Sequence, residues 1–430
     1  MTFLRILKRS NQKNSLKHTL YFYICCIIYR ILLDYNYINI ISPFNQYDNF
    51  NIYKSNELIS WVIFSIFIFF GYIFIKNGPK FLNILVVFLL FFKLIPFTSY
   101  LECAPIPEEL IILESMYFIT MLLCFKYIPA LRLPKPHSHP LLINIIAISL
   151  ISVIFFISAI YAHFRIQLNL ADVYELREEA RSYGTPTILN YLHSAASKIL
   201  PLFLIYYLEN KKKLMVYIII ISLLLSFGSN GLKATFFNLI ICLLLYSLRR
   251  YKIFNNIPQL FLLLMFFATL EFYLMNSFLI NQFLIRRMLY MPSLLDEYYF
   301  KYVKFHSPIF FDSNIDGIAI EYVVGSLWRD ISCYANNGLF SDAYINLGFI
   351  GIILYPIMYA LFFKNIGRII DYKPIYIRFF AAFITVNVFV SSFFTIGLIT
   401  HGLLLMFIVI SIMPNISKKH FDTKYSHLST

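Results

Sequence analysis

Apolar residues in this chain do not alternate with polar ones but run on, about twenty at a time, and break at short polar segments. A continuous apolar stretch of that length, wound as a helix, matches the hydrocarbon thickness of a bilayer. Twelve such stretches can be drawn, at roughly 18–34, 57–75, 80–98, 109–128, 141–162, 187–208, 214–228, 232–248, 257–280, 343–363, 375–394 and 397–413. Alternation with a period of two, the mark of a membrane barrel, is missing. The pattern predicts an all-α polytopic membrane protein of about 12 transmembrane helices, with residues 1–430 forming a single membrane domain.

Composition agrees. With 60% hydrophobic and 13% charged residues and a mean hydropathy of +0.71, the chain is too apolar for a water-soluble globule of 430 residues. The net charge of +14 raises nucleic acid as a partner, so the charges were sorted by side under the predicted topology. Cytoplasmic segments hold 23 of the 36 basic residues and 3 of the 22 acids, a balance of +20; the outer segments hold nine and 17, a balance of −8. This is the positive-inside distribution, with both termini cytoplasmic, and it accounts for the basic excess without nucleic acid.

A basic start followed by the apolar run Thr19 to Leu33 has the outline of a signal peptide, but no small-residue cleavage pattern follows Asp34, so a first membrane helix is expected. The six cysteines show no metal spacing, and no Gly-rich phosphate loop, nucleophile elbow or haem motif occurs, so neither a metal nor a cofactor is expected.

Two outer connectors are long, 163–186 and 281–342. Long loops beside a rigid scaffold are where binding and catalysis concentrate. In the shorter loop, Asp172 and Glu175 form a capping box and Gly184 with Pro186 a stop, predicting a helix of two to three turns. Val173, Leu176 and Ala180 share one face of it, and Arg177 and Arg181 point together on another. The longer loop is rich in aromatic and charged residues and predicts short helices lying on the membrane surface, with Phe and Tyr rings at headgroup level.

Six of the nine outer basic residues are arginine (Arg165, Arg177, Arg181, Arg286, Arg287 and Arg329), against seven of 23 on the cytoplasmic side. Lysine would serve topology equally well, whereas the guanidinium fork suits phosphate or carboxylate. Surface pairing with the outer acids is the plain alternative, and the doublets Arg177/Arg181 and Arg286/Arg287 resist it best. The turn Gly228-Ser229-Asn230-Gly231-Leu232-Lys233 separates two spans and puts Lys233 at a helix start, where the dipole disfavours a cation. That position suits either a snorkelling lysine or a phosphate clamp.

The segment from Tyr334 to Gly351 leads into the tenth span, with Asp342 at its mouth either as a helix cap or as a reactive carboxylate. Asn346, Gly348 and Gly351 read as helix-packing positions. Within the membrane, Lys93 is expected to snorkel, while Lys198 and His401 stay open between partner and interface, as intramembrane ionisable groups are costly unless paired.

These residues resemble a family, the bacterial O-antigen polymerases or oligosaccharide repeat unit polymerases. The Gly228 to Lys233 turn is similar to the family's glycine-serine-basic turn between two central helices. Arg287-Met288-Leu289-Tyr290-Met291-Pro292 with Tyr298-Tyr299-Phe300 looks like the start of its large periplasmic loop, and Asn336 to Gly351 like that loop's exit. The spaced Arg and Gly pattern of some members in two periplasmic loops is not evident.

The resemblance implies a GT-C-like helical bundle in the bacterial inner membrane. It also implies a glycosyltransferase that polymerises undecaprenyl-pyrophosphate-linked oligosaccharide units into O-antigen or capsular polysaccharide. A flippase and a chain-length regulator would be its protein partners. Arg287, Arg177 and Asp342 are then expected at the reaction centre, the arginines on the pyrophosphate and Asp342 as proton acceptor, with Glu321, Asp330 and His306 as other acceptors. Arg181, Lys233, Arg286, Arg329, His306, Asn336, Tyr298 and Tyr299 are expected to bind substrate, and Trp328 to stack on sugar. A lipid-linked oligosaccharide flippase, with pseudo-repeats and charges in a central cavity, and an O-antigen ligase are the alternatives.

Overall fold

The computed structural model describes residues 2–54, 56–131, 133–164, 173–247, 253–275, 277–329 and 333–415. Arg165, Asp172 and Asp330 lie outside them. The protein is nearly all helix. Among the described residues, nine helices are long and apolar enough to cross a membrane, from Thr19–Phe44 to Phe340–Ile370. Shorter apolar helices, Lys233–Ser247, Ile375–Val390 and Leu403–Ile412, fall on the other three expected spans. The last of these is short because the expected span is interrupted. Phe394–Leu398 and Leu403–Ile412 are separated by a turn that ends at Gly402, whose φ of +72° a side chain would resist.

The chain forms two compact units: Met1–Pro129 with Lys252–Phe362 and Phe389–Phe393, and Ala130–Tyr251 with Phe363–Val388 and Phe394–Thr430. The first is built around Phe81–Cys103, a helix apolar on every side and 94% buried, as such helices must be. A π turn at Leu90–Leu94 precedes Pro96, and Tyr29 donates its hydroxyl to the Phe91 carbonyl at 2.9 Å.

The segment 281–342 departs from expectation. A ten-residue π-helical stretch, Asn281–Tyr290, continues into the helix Met291–His306, in which every residue from Pro292 to Phe300 is buried. That helix packs against Ile95–Cys103 and Ile320–Trp328 instead of lying on a surface, and its Asp296 finds a buried partner in Lys93. A small hairpin, Asn314–Ile315 paired with Ile318–Ala319, turns at Asp316-Gly317 with φ of 51° and 79°.

The helical run Phe340–Ile370 is broken at Gly348 (φ 55°, ψ −135°), and the chain folds back on itself there. The Tyr355 hydroxyl accordingly reaches the Asp342 carboxylate at 3.2 Å, and a Cβ on Gly351 would sit 2.0 Å from the Ala343 carbonyl oxygen. Gly351 is thus a packing position, as expected, whereas Gly348 is a breaking one.

The second unit is built around Thr187–Glu209, which packs on Pro140–Ile160, Lys213–Asn230, Lys233–Ser247 and Leu403–Ile412. Val173–Ser182 forms the predicted short helix, with Leu176 buried. The tight turn falls at Gly231 (φ +64°), between Lys213–Asn230 and Lys233–Ser247; Gly228 itself is helical.

Candidate functional site

In the first unit a carboxylate organises the arginines. Asp48 closes a short 3-10 turn, Gln46–Asp48, after the first membrane helix, and is 0% exposed. Arg286 donates to its Oδ2 through Nη1, and Arg329 to its Oδ1 through Nη2. Two guanidiniums on one carboxylate leave a formal surplus of one positive charge, with the arginine side chains 16% and 25% exposed.

The backbone is fixed to match. Trp328 Nε1 donates to the Asp48 carbonyl at 3.0 Å, Asn49 Nδ2 to the Trp328 carbonyl at 2.8 Å, and Gln282 Nε2 to Asn45 Oδ1 at 2.9 Å. The Arg329 guanidinium lies 4.2 Å from the Trp328 ring centre and 5.9 Å from that of Tyr47, which is 67% exposed. The doublet therefore splits. Arg286 is an acid-paired arginine, contrary to the expectation that it would resist pairing, and Arg287 is exposed.

The other candidates scatter. Asn336 is exposed, and His306 is exposed with its ring stacked on Tyr302 at 4.8 Å. Tyr299 has no face left for a sugar, being fully buried with its hydroxyl donating to the Ala335 carbonyl at 2.9 Å. Tyr298 is nearly buried too, beneath the Lys301 ammonium at 4.9 Å from its ring centre; burial raises its hydroxyl pKa, with the Glu297 charge adding to the shift. Trp328 is buried and serves Asp48 and Arg329.

Asp342 sits inside the fold at 3% exposure, where Asn346 Nδ2 donates to its Oδ1 at 2.8 Å alongside Tyr355. A carboxylate so enclosed holds the folded-back helix and does not face a substrate. Glu321 is also mostly buried, and desolvation raises its carboxyl pKa.

Two buried ionic clusters were not anticipated. Lys93, expected to snorkel, is 2% exposed and pairs with Asp296 and with Glu114, the latter at 3.1 Å. Ser293 Oγ accepts from Lys93 at 3.1 Å, while Asn337 Nδ2 at 2.9 Å and the Ser341 hydroxyl donate to Asp296 Oδ1. Of the two acids that meet Lys93, Glu114 lies on the next span and Asp296 comes from a segment 203 residues away. The second cluster joins Arg30 to Asp34 at 2.9 Å and Glu102 at 2.8 Å, with Ser60 and Ser99 around them. Arg30 and Asp34, four apart on one helix, were a readable signal.

In the second unit, Arg177 Nε donates to the Gly231 carbonyl at 2.9 Å, so the short helix is pinned to the turn that begins at Asn230 and leads to Lys233. Arg181 is exposed. The expected clamp residues thus belong to different units: Arg286, Arg287 and Arg329 to the first, Arg177, Arg181 and Lys233 to the second. Among the described residues, no group of three or more His, Cys, Asp or Glu side chains could hold a metal ion.

No protein family, characterised protein or solved structure was found to match the chain. The fold and the site define a polytopic helical membrane protein with an arginine-bearing carboxylate centre at one end of its first unit.

Proposed function

We propose that this protein is a membrane glycosyltransferase of the polysaccharide-polymerase type. It would join undecaprenyl-pyrophosphate-linked oligosaccharide units on the outer face of a bacterial inner membrane. The observation that carries the reading is the pair Arg286 and Arg329 on Asp48, with its surplus positive charge and partial exposure.

In such a transfer, an acceptor sugar hydroxyl attacks the anomeric carbon of the growing glycan. The bond from that carbon to the pyrophosphate oxygen breaks, the electron pair leaves with the pyrophosphate, and the hydroxyl proton passes to a base. Donors that are already held in place stabilise charge as it develops without first having to reorganise. Asp48 does that holding through one terminal nitrogen of each guanidinium; both Nε atoms are enclosed, so in this reading the other terminal nitrogens would meet the leaving group. The exposed Tyr47 ring beside Arg329 offers a face for sugar. Among the described proton acceptors, Asp342 and Glu321 are enclosed, and His306, though exposed, lies roughly 25–30 Å from Arg286 along one helical run, too far to serve the same centre. Arg287, in the same unit, would extend the anion-binding site, and a flippase and a chain-length regulator would be partners.

The test is the polysaccharide ladder on a gel from cells carrying Arg329→Ala or Arg286→Ala at unchanged protein level. Loss of long chains is expected, and loss with Arg329→Lys as well would favour bidentate contact. A normal ladder in both alanine variants would sink the proposal.

The buried ionisable residues Lys93, Glu114 and Lys198 favour a second reading, a flippase, since transporters place charges inside the membrane. Deletion separates the two. Polymerase loss leaves single lipid-linked units on the outer face, whereas flippase loss leaves them facing the cytoplasm.

A further inference from the structure

Lys198 is the middle residue of the 23-residue helix Thr187–Glu209. About 16 Å of helix separates it from either end, more than a lysine stem can bridge by snorkelling. It is 9% exposed, and its ammonium donates to Ser194 O at 3.0 Å and lies 3.4 Å from Ser194 Oγ, both on its own helix. Among the described residues no carboxylate pairs with it. A buried cation in the middle of a membrane span is costly without a counter-charge, which makes the missing partner a functional question.

The surroundings supply donors and no acid. Pro201 lacks an N–H, which frees the Ser197 carbonyl one turn earlier, and Asn238 Nδ2 donates to that carbonyl at 3.3 Å. Cys242 donates to the Pro201 carbonyl at 2.9 Å. From Lys213–Asn230, Ser226 Oγ lies 2.8 Å from His193 Nε2, and Asn230 Nδ2 lies 2.8 Å from His193 Nδ1. Asn230 Oδ1 is taken by the Leu232 N–H at 3.2 Å, so the amide nitrogen faces the ring. Nδ1 therefore accepts, and Nε2–H donates to Ser226. That tautomer cannot deprotonate Ser226, so the serine–histidine–asparagine row positions the helix and is no nucleophilic triad.

Gly402 packs on Ala195, one turn before Lys198, so closely that a Cβ there would sit 2.4 Å from the Ala195 Cβ, and His401 is the residue next to that contact. His401 lies within electrostatic reach of Lys198 and has no side-chain hydrogen-bond partner among the described residues.

We propose that Lys198 and His401 form an anion site in the second unit, and that its ligand is a phosphate group. An ammonium, an imidazole and the Ser194 hydroxyl supply several donors, which the three acceptor oxygens of a phosphate satisfy and a halide does not. Lysine binds phosphate as a point charge, without needing the guanidinium fork. The phosphate comes either free, as phosphate or pyrophosphate, or on a lipid. The site is independent of the polymerase reading and of the Asp48 centre.

The experiment uses the full chain in nanodiscs of phosphatidylcholine. Thermal unfolding is followed with inorganic phosphate or pyrophosphate in one arm and farnesyl phosphate in the lipid in the other. The wild type should be stabilised in at least one arm, and which arm responds identifies the source. Lys198→Met should weaken that response about tenfold or more, while Lys198→Arg retains it. Without ligand, Lys198→Met should be at least as stable as the wild type, because it removes an uncompensated charge. No response of the wild type in either arm overturns the proposal, and so does an equal response in Lys198→Met or a response abolished by Arg329→Ala instead. Should Lys198→Met fail to fold, His401→Gln carries the test: a clearly weaker response supports the site, and an unchanged one overturns it.

Discussion

Asp48→Asn keeps the size of the side chain and removes its charge, leaving two guanidiniums facing a neutral amide. Breaking a fully buried ion pair by removing one partner costs about 3–5 kcal/mol. Both arginines here keep a route to water, at 16% and 25% exposure, and that screening reduces the expected loss. A cost of about 2–3 kcal/mol follows. Arg329→Met should cost less, about 1 kcal/mol, because Arg286 still neutralises Asp48. In the double variant the repulsion between guanidiniums is gone, so its loss should fall short of the sum of the singles by about 1–2 kcal/mol. Equilibrium unfolding of the purified protein in mixed detergent micelles, at low and high salt, measures all three. An Asp48→Asn protein within about 0.5 kcal/mol of wild type, or strictly additive losses, would refute the account of Asp48 as the group that holds both arginines.

Other perturbations follow from the same structure. Lys93→Met strands two carboxylates at 1% exposure and should cost about 3–5 kcal/mol by the same unfolding assay; Glu114→Gln, which brings the cluster's formal charge from −1 to zero, should be neutral or stabilising. Gly351→Ala should prevent accumulation of folded protein, because its Cβ would overlap the Ala343 carbonyl at 2.0 Å. Gly348→Ala should cost about 1–3 kcal/mol, because its backbone lies in a positive-φ region that side chains rarely adopt and a Cβ would sit 3.1 Å from Pro308 Cγ; equal expression and stability of both variants would argue against the folded-back helix. Burial raises the Glu321 pKa in the folded state, so folding takes up a proton there, and stability should rise as pH falls from that raised value toward the ordinary carboxylate range. Melting curves between about pH 4 and 7 should show this slope in the wild type and lose it in Glu321→Gln.

What could be read from the sequence was whatever depends on neighbours in the chain. The apolar runs placed each of the nine described helices long and apolar enough to cross a membrane, the capping signals placed Val173–Ser182, and Gly231 and Lys233 marked their turn, since each is a matter of local backbone chemistry. Arg30 and Asp34 were within reach by the same logic. The placement of 281–342 was not, because an aromatic-rich amphipathic segment suits a membrane surface and a protein interior alike, and only its partners decide. Those partners are remote: Lys93 meets Asp296 across 203 residues, and Arg329 meets Asp48 across 281. Gly348 and Gly351 looked alike as small packing residues, yet the first breaks the helix and the second lets the returning backbone approach.

These remote pairs explain why the long segment enters the fold at all. Lys93 lies on the most buried span described in its unit; Glu114 meets it from the next span, and Asp296 arrives from the helix Met291–His306 as a second carboxylate that ties the segment to that span. Arg286 precedes that helix and Arg329 follows the next, and both close on Asp48. The stretch between them is therefore held at both ends by one carboxylate and in its interior by another contact, which removes most of the freedom a connector of that length would otherwise keep. A site assembled on such a frame starts with its cations already oriented, and an anion that binds there meets less reorganisation than it would on a mobile loop. Stability and anion recognition at this end of the protein consequently rest on the same side chain, Asp48. Substitutions there should weaken both together, whereas Arg287, exposed and outside the frame, can be changed with little effect on stability.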